Sequence, residues 1–234
     1  MQSQLAKNQI VIVGAGGLGH GFLHRALAKP DLLNNYRLHF IDADKVEYSN
    51  LNRQIFYTQA NVGSPKIKVL EERLSALAPE IASQSAFSEA YLDETNAVRL
   101  LRAAAIVIDA TDGVATKFFL NDFCTSKQIP LIYAGVAGHQ ALVKIVAPTG
   151  SCLRCAFTDL SDSAEENCFT CQEFGILGAF AGLISAVQLD LCDKYLAGSC
   201  NRELLNSLFS FSTASGEIKK YLFQPNPGCQ CQQV

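Results

Sequence analysis

The first apolar run, QIVIV at 9–13, is β-branched and unbroken, as in a strand buried on both faces, and it leads directly into GAGGLG at 14–19. A strand, a tight turn and a helix over 18–28 are therefore expected, the helix ending before Pro30. The run RLHFI at 37–41 predicts a second strand, closed by the polar DAD at 42–44. A polar stretch at 48–64 then passes through Pro65 into helical periodicity over 66–77, which Pro79 stops. Further along, the pattern predicts a helix over 93–104, a strand over 105–108, a helix from the DATD at 109–112 to about 127, and a strand over 130–133. Such alternation of strand and helix predicts an α/β, Rossmann-like, doubly wound and mostly parallel sheet. Beyond 135 the pattern changes. A strand over 142–146, a cysteine-rich loop, an apolar helix and a hairpin of 208–212 with 218–223 extend that sheet by antiparallel strands. No linker separates the halves 1–135 and 136–234, so 1–234 reads as a single domain.

Composition narrows the function classes. Apolar residues make up 49% of the chain and charged ones 18%, which excludes a disordered chain. The formal net charge is −3 and no basic block exceeds Lys219-Lys220, so nucleic acid is not an expected partner. The uncharged stretch at 174–189, with glycines at 175, 178 and 182, is shorter than the ~20 residues of a membrane span and reads as a buried helix. No membrane association is expected. Residues 1–9 have one lysine and no long apolar region, so they are not a secretory signal, and the protein is expected in the cytoplasm. Nine cysteines, an odd number in a reducing compartment, point to metal or thiol chemistry instead of a disulfide framework.

Gly14, Gly16, Gly17 and Gly19 lack β-carbons where backbone N–H groups at a helix N-terminus approach an anion. Asp42 follows 23 residues past Gly19, at the end of the next strand, the place of a ribose-binding carboxylate. That fingerprint fits NAD, which would make the chain an oxidoreductase, or ATP. The next segment separates them. Asp44, Ser49, Asn50, Arg53, Gln54 and Lys66 place a guanidinium and an ammonium just beyond the ribose site. Asp112, followed by Gly113, lies past another parallel strand, on the ligand-bearing edge of such sheets. Together these describe a cradle for a magnesium triphosphate, which hydride transfer does not need.

With these residues in view, the chain resembles the HesA/MoeB/ThiF family, the bacterial relatives of ubiquitin-activating enzymes. The resemblance runs from about 10 to 231 through GAGGLG, DADKVEYSNLNRQ, GSPKIKV, DATDGVATKFFLND, CLRC, CFTCQEFGILGAFAG and NPGCQC, in the family's order. It implies an ATP-dependent adenylyltransferase acting on the C-terminal glycine of a small ubiquitin-like sulfur-carrier protein ending in Gly-Gly, with an acyl-adenylate as product. Arg53 and Lys66 would neutralise charge as the carrier carboxylate attacks, and Asp112 would hold Mg2+. A carboxylate is already a nucleophile, so no histidine is assigned a catalytic duty. The carrier would lie on the 174–189 helix and the C-terminal strands, across a homodimer. With no rhodanese-like extension after Val234, another protein would supply the sulfur. A nucleotide-binding scaffold of the same fold without turnover is the alternative.

Cys152 and Cys155 form half of a tetrahedral metal site. Spacing favours Cys168 and Cys171 as the other half, whereas the resemblance favours Cys229 and Cys231 and a structural Zn2+. The resemblance also places Cys171 where some members carry a thiol that becomes acylated or persulfide-linked, with Cys168 as a resolving partner. The chain departs from the family in its terminal CxC, in Gly113 for asparagine, in Lys117 for arginine, and in having no arginine within 1–9, where relatives lend one to the neighbouring subunit.

Overall fold

The fold is described from a computed structural model over residues 8–157 and 177–232. Its centre is β1 (Gln9–Val13), flanked by β2 (Arg37–Ile41) on one side and β4 (Ala104–Asp109) on the other. With β3 (Ala86–Ser88), β5 (Leu131–Ala137), β6 (Gln140–Val146), β7 (Ser207–Ser212) and β8 (Ile218–Leu222) they make one eight-stranded sheet in the order β3-β2-β1-β4-β5-β6-β7-β8. Pairing is parallel from β3 to β5 and antiparallel from β5 to β8. The expected fold class is therefore the observed one.

Alternation along the central strands divides the core in two. Ile10, Ile12, Ile106 and Ile108 face one side, against α1 (Gly17–Ala26), α3 (Lys66–Leu77) and α8 (Gly178–Leu196). Val11, Val13 and Val107 face the other, against α5 (Ala97–Leu101), α6 (Val114–Ser126) and α7 (Leu153–Ala156). Both faces are covered, which is why these strands are continuous apolar runs instead of alternating ones. On the first face α1 lies along α8. Arg25 donates to the Gly21 carbonyl at 3.0 Å and reaches Ser185 Oγ at 3.5 Å, and Lys29 pairs with Asp193.

Several boundaries differ from the expected ones. The helix expected over 93–104 forms only at Ala97–Leu101, because the chain must enter β4 at Ala104. Pro79 does end α3, but it also opens a short helix, α4 (Pro79–Gln84), where a missing N–H costs nothing. The short α2 (Pro30–Asn35) begins on Pro30 in the same way, and α9 (Arg202–Leu205) precedes β7. Among the described residues no helix is long and apolar enough to cross a membrane.

Candidate functional site

The loop between β1 and α1 adopts a conformation only glycine satisfies. Gly14 has φ +103°, and a β-carbon there would lie 2.5 Å from the Ala110 carbonyl oxygen at the end of β4. A β-carbon on Gly19 would lie 2.2 Å from the Gly14 carbonyl oxygen. The chain thus turns as tightly as its backbone permits, and α1 starts at Gly17 with no side chain capping its free N–H groups. Those groups carry the positive end of the helix dipole, which suits an anion.

Asp42 pins this loop. One carboxylate oxygen accepts the Ala15 N–H at 2.6 Å and the other accepts the Asp44 N–H at 2.7 Å, so the residue read as a ribose ligand is also a backbone clamp. Burial raises its pKa, against the opposing charge of Lys66. Lys66, itself buried, donates to Asp44 Oδ2 at 2.7 Å and lies 3.9 Å from Asp42 Oδ2. Partial burial pushes Asp44 up, but bonds from Lys66 and the Tyr91 hydroxyl hold it below its ordinary value.

Arg53 packs against the start of α1. Its side chain carbons lie 3.3 and 3.5 Å from where a Gly17 β-carbon would stand. The guanidinium is held by the Ser49 carbonyl at 3.2 Å, by Asn52 Oδ1 at 3.0 Å and by Asn50 Oδ1. Asn50 also donates to Glu47, and Ser49 does so weakly at 3.4 Å. Gln54 is buried beside Gly16, and among the described residues its Oε1 has no hydrogen-bond partner.

Asp112 is exposed in the loop after β4. That loop is set by a buried pair: Lys117 donates to Asp109 at 3.1 and 3.2 Å, to the Thr111 carbonyl at 2.7 Å and to the Ala134 carbonyl at 2.6 Å. Lysine at this position therefore finds the acceptors an ammonium can use, without the fork of an arginine. Gly14, Gly16, Gly17, Gly19, Asp42, Asp44, Asn50, Arg53, Gln54 and Lys66 thus gather at one sheet edge, and the loop bearing Asp112 and Gly113 abuts Gly14 through Ala110.

Two tyrosines escaped the sequence reading. The buried Tyr57 donates to the Ala15 carbonyl at 3.2 Å or the Lys66 carbonyl at 3.1 Å, linking the glycine loop to α3, and Tyr91 reaches Asp44 from beyond β3. Neither belongs to a local motif, so only tertiary contact reveals them.

His20, assigned no catalytic duty, is fully buried. Its Nδ1 accepts the Phe56 N–H at 3.3 Å, its Nε2 has no partner among the described residues, and Phe56 and Tyr57 pack edge-on against the ring. Burial, with Lys66 nearby, lowers its pKa from 6.5 to about 3. A folded value below the unfolded one means that this contribution to stability is complete above pH 6.5 and is lost as pH falls toward 3. Thermal midpoints followed by circular dichroism from pH 7 to about 4 are expected to fall, and to fall less steeply in His20→Gln. Equal slopes would show that His20 does not titrate on unfolding.

A second cluster lies on the other face of the sheet. The sulfurs of Cys152, Cys155, Cys229 and Cys231 all lie within 4.8 Å of one another, with Cys152–Cys229 and Cys155–Cys231 at 3.5 Å. Four thiolates at ~2.3 Å from one tetrahedral ion stand about 3.8 Å apart, so the donor set fits zinc. The terminal CxC reaches the site because Cys229 and Cys231 sit on a tight turn, where the Cys229 N–H meets the Asn226 carbonyl at 2.9 Å and the Gln232 N–H meets that of Cys229 at 3.0 Å. Asn226 N–H also donates to Cys155 Sγ at 3.3 Å. The arrangement favours the second of the two candidate pairs; Cys168 and Cys171 lie outside the described residues. Beside the cluster, Lys144 is fully buried, and burial pushes its ammonium down to about 8 while the Cys152, Cys155 and Cys231 sulfurs act the other way. A lone lysine within the apolar run QALVKIV was the signal for it.

With this geometry in place, comparison with known proteins is direct. The model of the ThiF family matches residues 1–231. The sulfur carrier protein adenylyltransferase of Thermus thermophilus is 32% identical over 97% of this chain and 83% of its own length. The molybdopterin-synthase adenylyltransferase of Escherichia coli is 29% identical over 98% and 88%, and the SAMP-activating enzyme E1 of Haloferax volcanii 27% identical over 97% and 81%. Among solved structures, E. coli MccB with ATP superposes with a TM-score of 0.78 at 18% identity, covering 100% of this chain and 69% of that one.

Proposed function

The chain belongs to the ThiF family, and on that premise we propose that it is an ATP-dependent adenylyltransferase acting on the C-terminal carboxylate of a small ubiquitin-like sulfur-carrier protein. The observation that carries the reading is the convergence of Arg53 and Lys66 on the uncapped glycine loop. A carboxylate oxygen of the carrier attacks the α-phosphorus, the bond to the β-phosphate bridging oxygen breaks, and pyrophosphate leaves with that electron pair. No proton moves. The protein has two anions to bring together, so its work is alignment and charge neutralisation.

Around the loop, three carboxylates (Asp42, Asp44, Asp112) outnumber two cations. A bare triphosphate would be repelled, which is why we assign Mg2+ to Asp112 and read the substrate as the magnesium complex. Lys66 is tied to Asp44, and releasing it to a phosphate exchanges one anion for another at little cost. Asp42 has lone pairs left for a ribose hydroxyl after its two backbone bonds. In this reading residues 1–135 bind the nucleotide, and 136–234 hold the carrier and a structural zinc. Cytoplasmic location, a homodimer, a separate sulfur donor and a thiol role for Cys171 belong to the same proposal.

The test is ATP–pyrophosphate exchange with candidate small proteins ending in Gly-Gly, combined with intact-mass measurement. Exchange stimulated by one carrier, with a mass gain of one AMP on it, is the expected result. Nucleotide binding without exchange for any carrier would mark a scaffold of this fold without turnover.

A further inference from the structure

Lys144 has a position that neither nucleotide chemistry nor packing explains. It lies in the middle of β6, between the buried Val143 and Ile145, opposite Leu208 of β7. Val143 and Ile145 join the first core, so strand alternation turns Lys144 to the other face, where Val146, Leu208, Cys152 and Cys155 lie. Its ammonium donates to Ser151 Oγ at 2.9 Å, the Leu205 carbonyl at 3.0 Å and the Ser207 carbonyl at 3.5 Å. All three acceptors are neutral, and among the described residues no carboxylate forms an ion pair with it. A buried cation without a counter-charge is costly. Ser151, its first acceptor, is itself fully buried and directly precedes the ligand Cys152. Asn206 fixes Ser151 by accepting its N–H at 2.9 Å.

Through Ser151 the ammonium is one residue from the cysteine cluster. Four thiolates around a divalent ion carry two negative charges in excess, and two of the four, Cys152 and Cys155, are buried. We propose that Lys144 is the internal counter-cation of the four-thiolate centre, a positioning residue that raises its affinity for the metal by offsetting that excess. The inference rests on the zinc reading given above. It makes the ammonium and the loaded centre interdependent.

The sign of the effect separates this role from a hydrogen-bonding one. The full-length protein, with zinc and after removal by a chelator, is compared with Lys144→Gln, which keeps a donor and loses the charge, and with Lys144→Met and Lys144→Arg. Zinc affinity is measured by competition with a chromophoric chelator, and thermal midpoints are read in both forms. Zinc affinity is expected to fall about 10-fold or more in the Gln and Met variants and to be largely retained in the Arg variant. The metal-free Gln and Met variants should melt no lower than the metal-free parent. Unchanged zinc affinity, or equal lowering of both midpoints, would overturn the inference and leave Lys144 a strut. Should the Met variant fail to fold, the Gln and Arg pair decides the matter. A parent protein that binds no zinc would instead overturn the zinc reading, and this inference with it.

Discussion

Lys66→Met is expected to reduce ATP–pyrophosphate exchange by about 10²- to 10³-fold, the loss typical of removing a preorganised donor from a developing charge. Two effects act together. The ammonium that would follow a phosphate oxygen disappears, and Asp42 and Asp44 lose the cation between them. Leaving buried Asp42 unmatched costs about 3 kcal/mol or more if it stays ionised, so it should take up a proton instead, which burial already favours. A protonated Asp42 keeps one good acceptor oxygen and holds the glycine loop less firmly through Ala15. The thermal midpoint should therefore fall along with the exchange rate. Arg53→Ala separates the two effects. Among the described residues the Arg53 guanidinium bonds only within its own turn, its side-chain carbons lie against Gly17, and its Cα and Cβ, which alanine keeps, lie against Gly178, so Arg53→Ala should spare the fold and still cost about 10²-fold in exchange. A folded Arg53→Ala protein with undiminished exchange would remove the guanidinium from the reaction.

The second large effect is on the backbone. In Gly19→Ala the new β-carbon would stand 2.2 Å from the Gly14 carbonyl oxygen and 3.2 Å from its carbonyl carbon, both in the loop that leaves the central strand. Both obstacles are backbone atoms and not the end of a flexible side chain, so β1 and α1 must separate. A destabilisation of about 3 kcal/mol or more is expected in urea unfolding, together with loss of nucleotide binding by calorimetry, since the N–H groups of the loop lose their common focus. A Gly19→Ala protein with parental stability and affinity would mean that the loop relaxes freely.

Legibility in the sequence followed locality. The strand–loop–helix at 9–26 and Asp42 could be read because β-branched runs and glycines lie next to one another in the chain, and the mostly parallel order followed from alternation. β3 could not: its three half-buried residues AFS show no period, and only pairing with His39, Phe40 and Ile41 makes them a strand. The helical pattern over 93–104 overran its true length because Leu100 and Leu101 end a helix while Ala104 starts a strand, and apolarity alone does not mark the change. In the site, charged residues were found through motif spacing, but their partners were not. That Asp42 is engaged by Ala15 and Asp44, and that Tyr57 and Tyr91 close the set, are consequences of tertiary proximity.

The cysteine cluster has one further consequence, which concerns the unfolded chain. Cys152 and Cys229 are 77 positions apart, and a bond through a shared ion would close that long segment into a ring. A covalent link of similar span lowers the freedom of the denatured ensemble by about 4 kcal/mol, and a metal clip acts in the same way for as long as its ligands stay attached. The centre would then govern how readily β7 and β8, which lie inside that ring, come away from β6. Chelation would loosen the β7–β8 end of the sheet first.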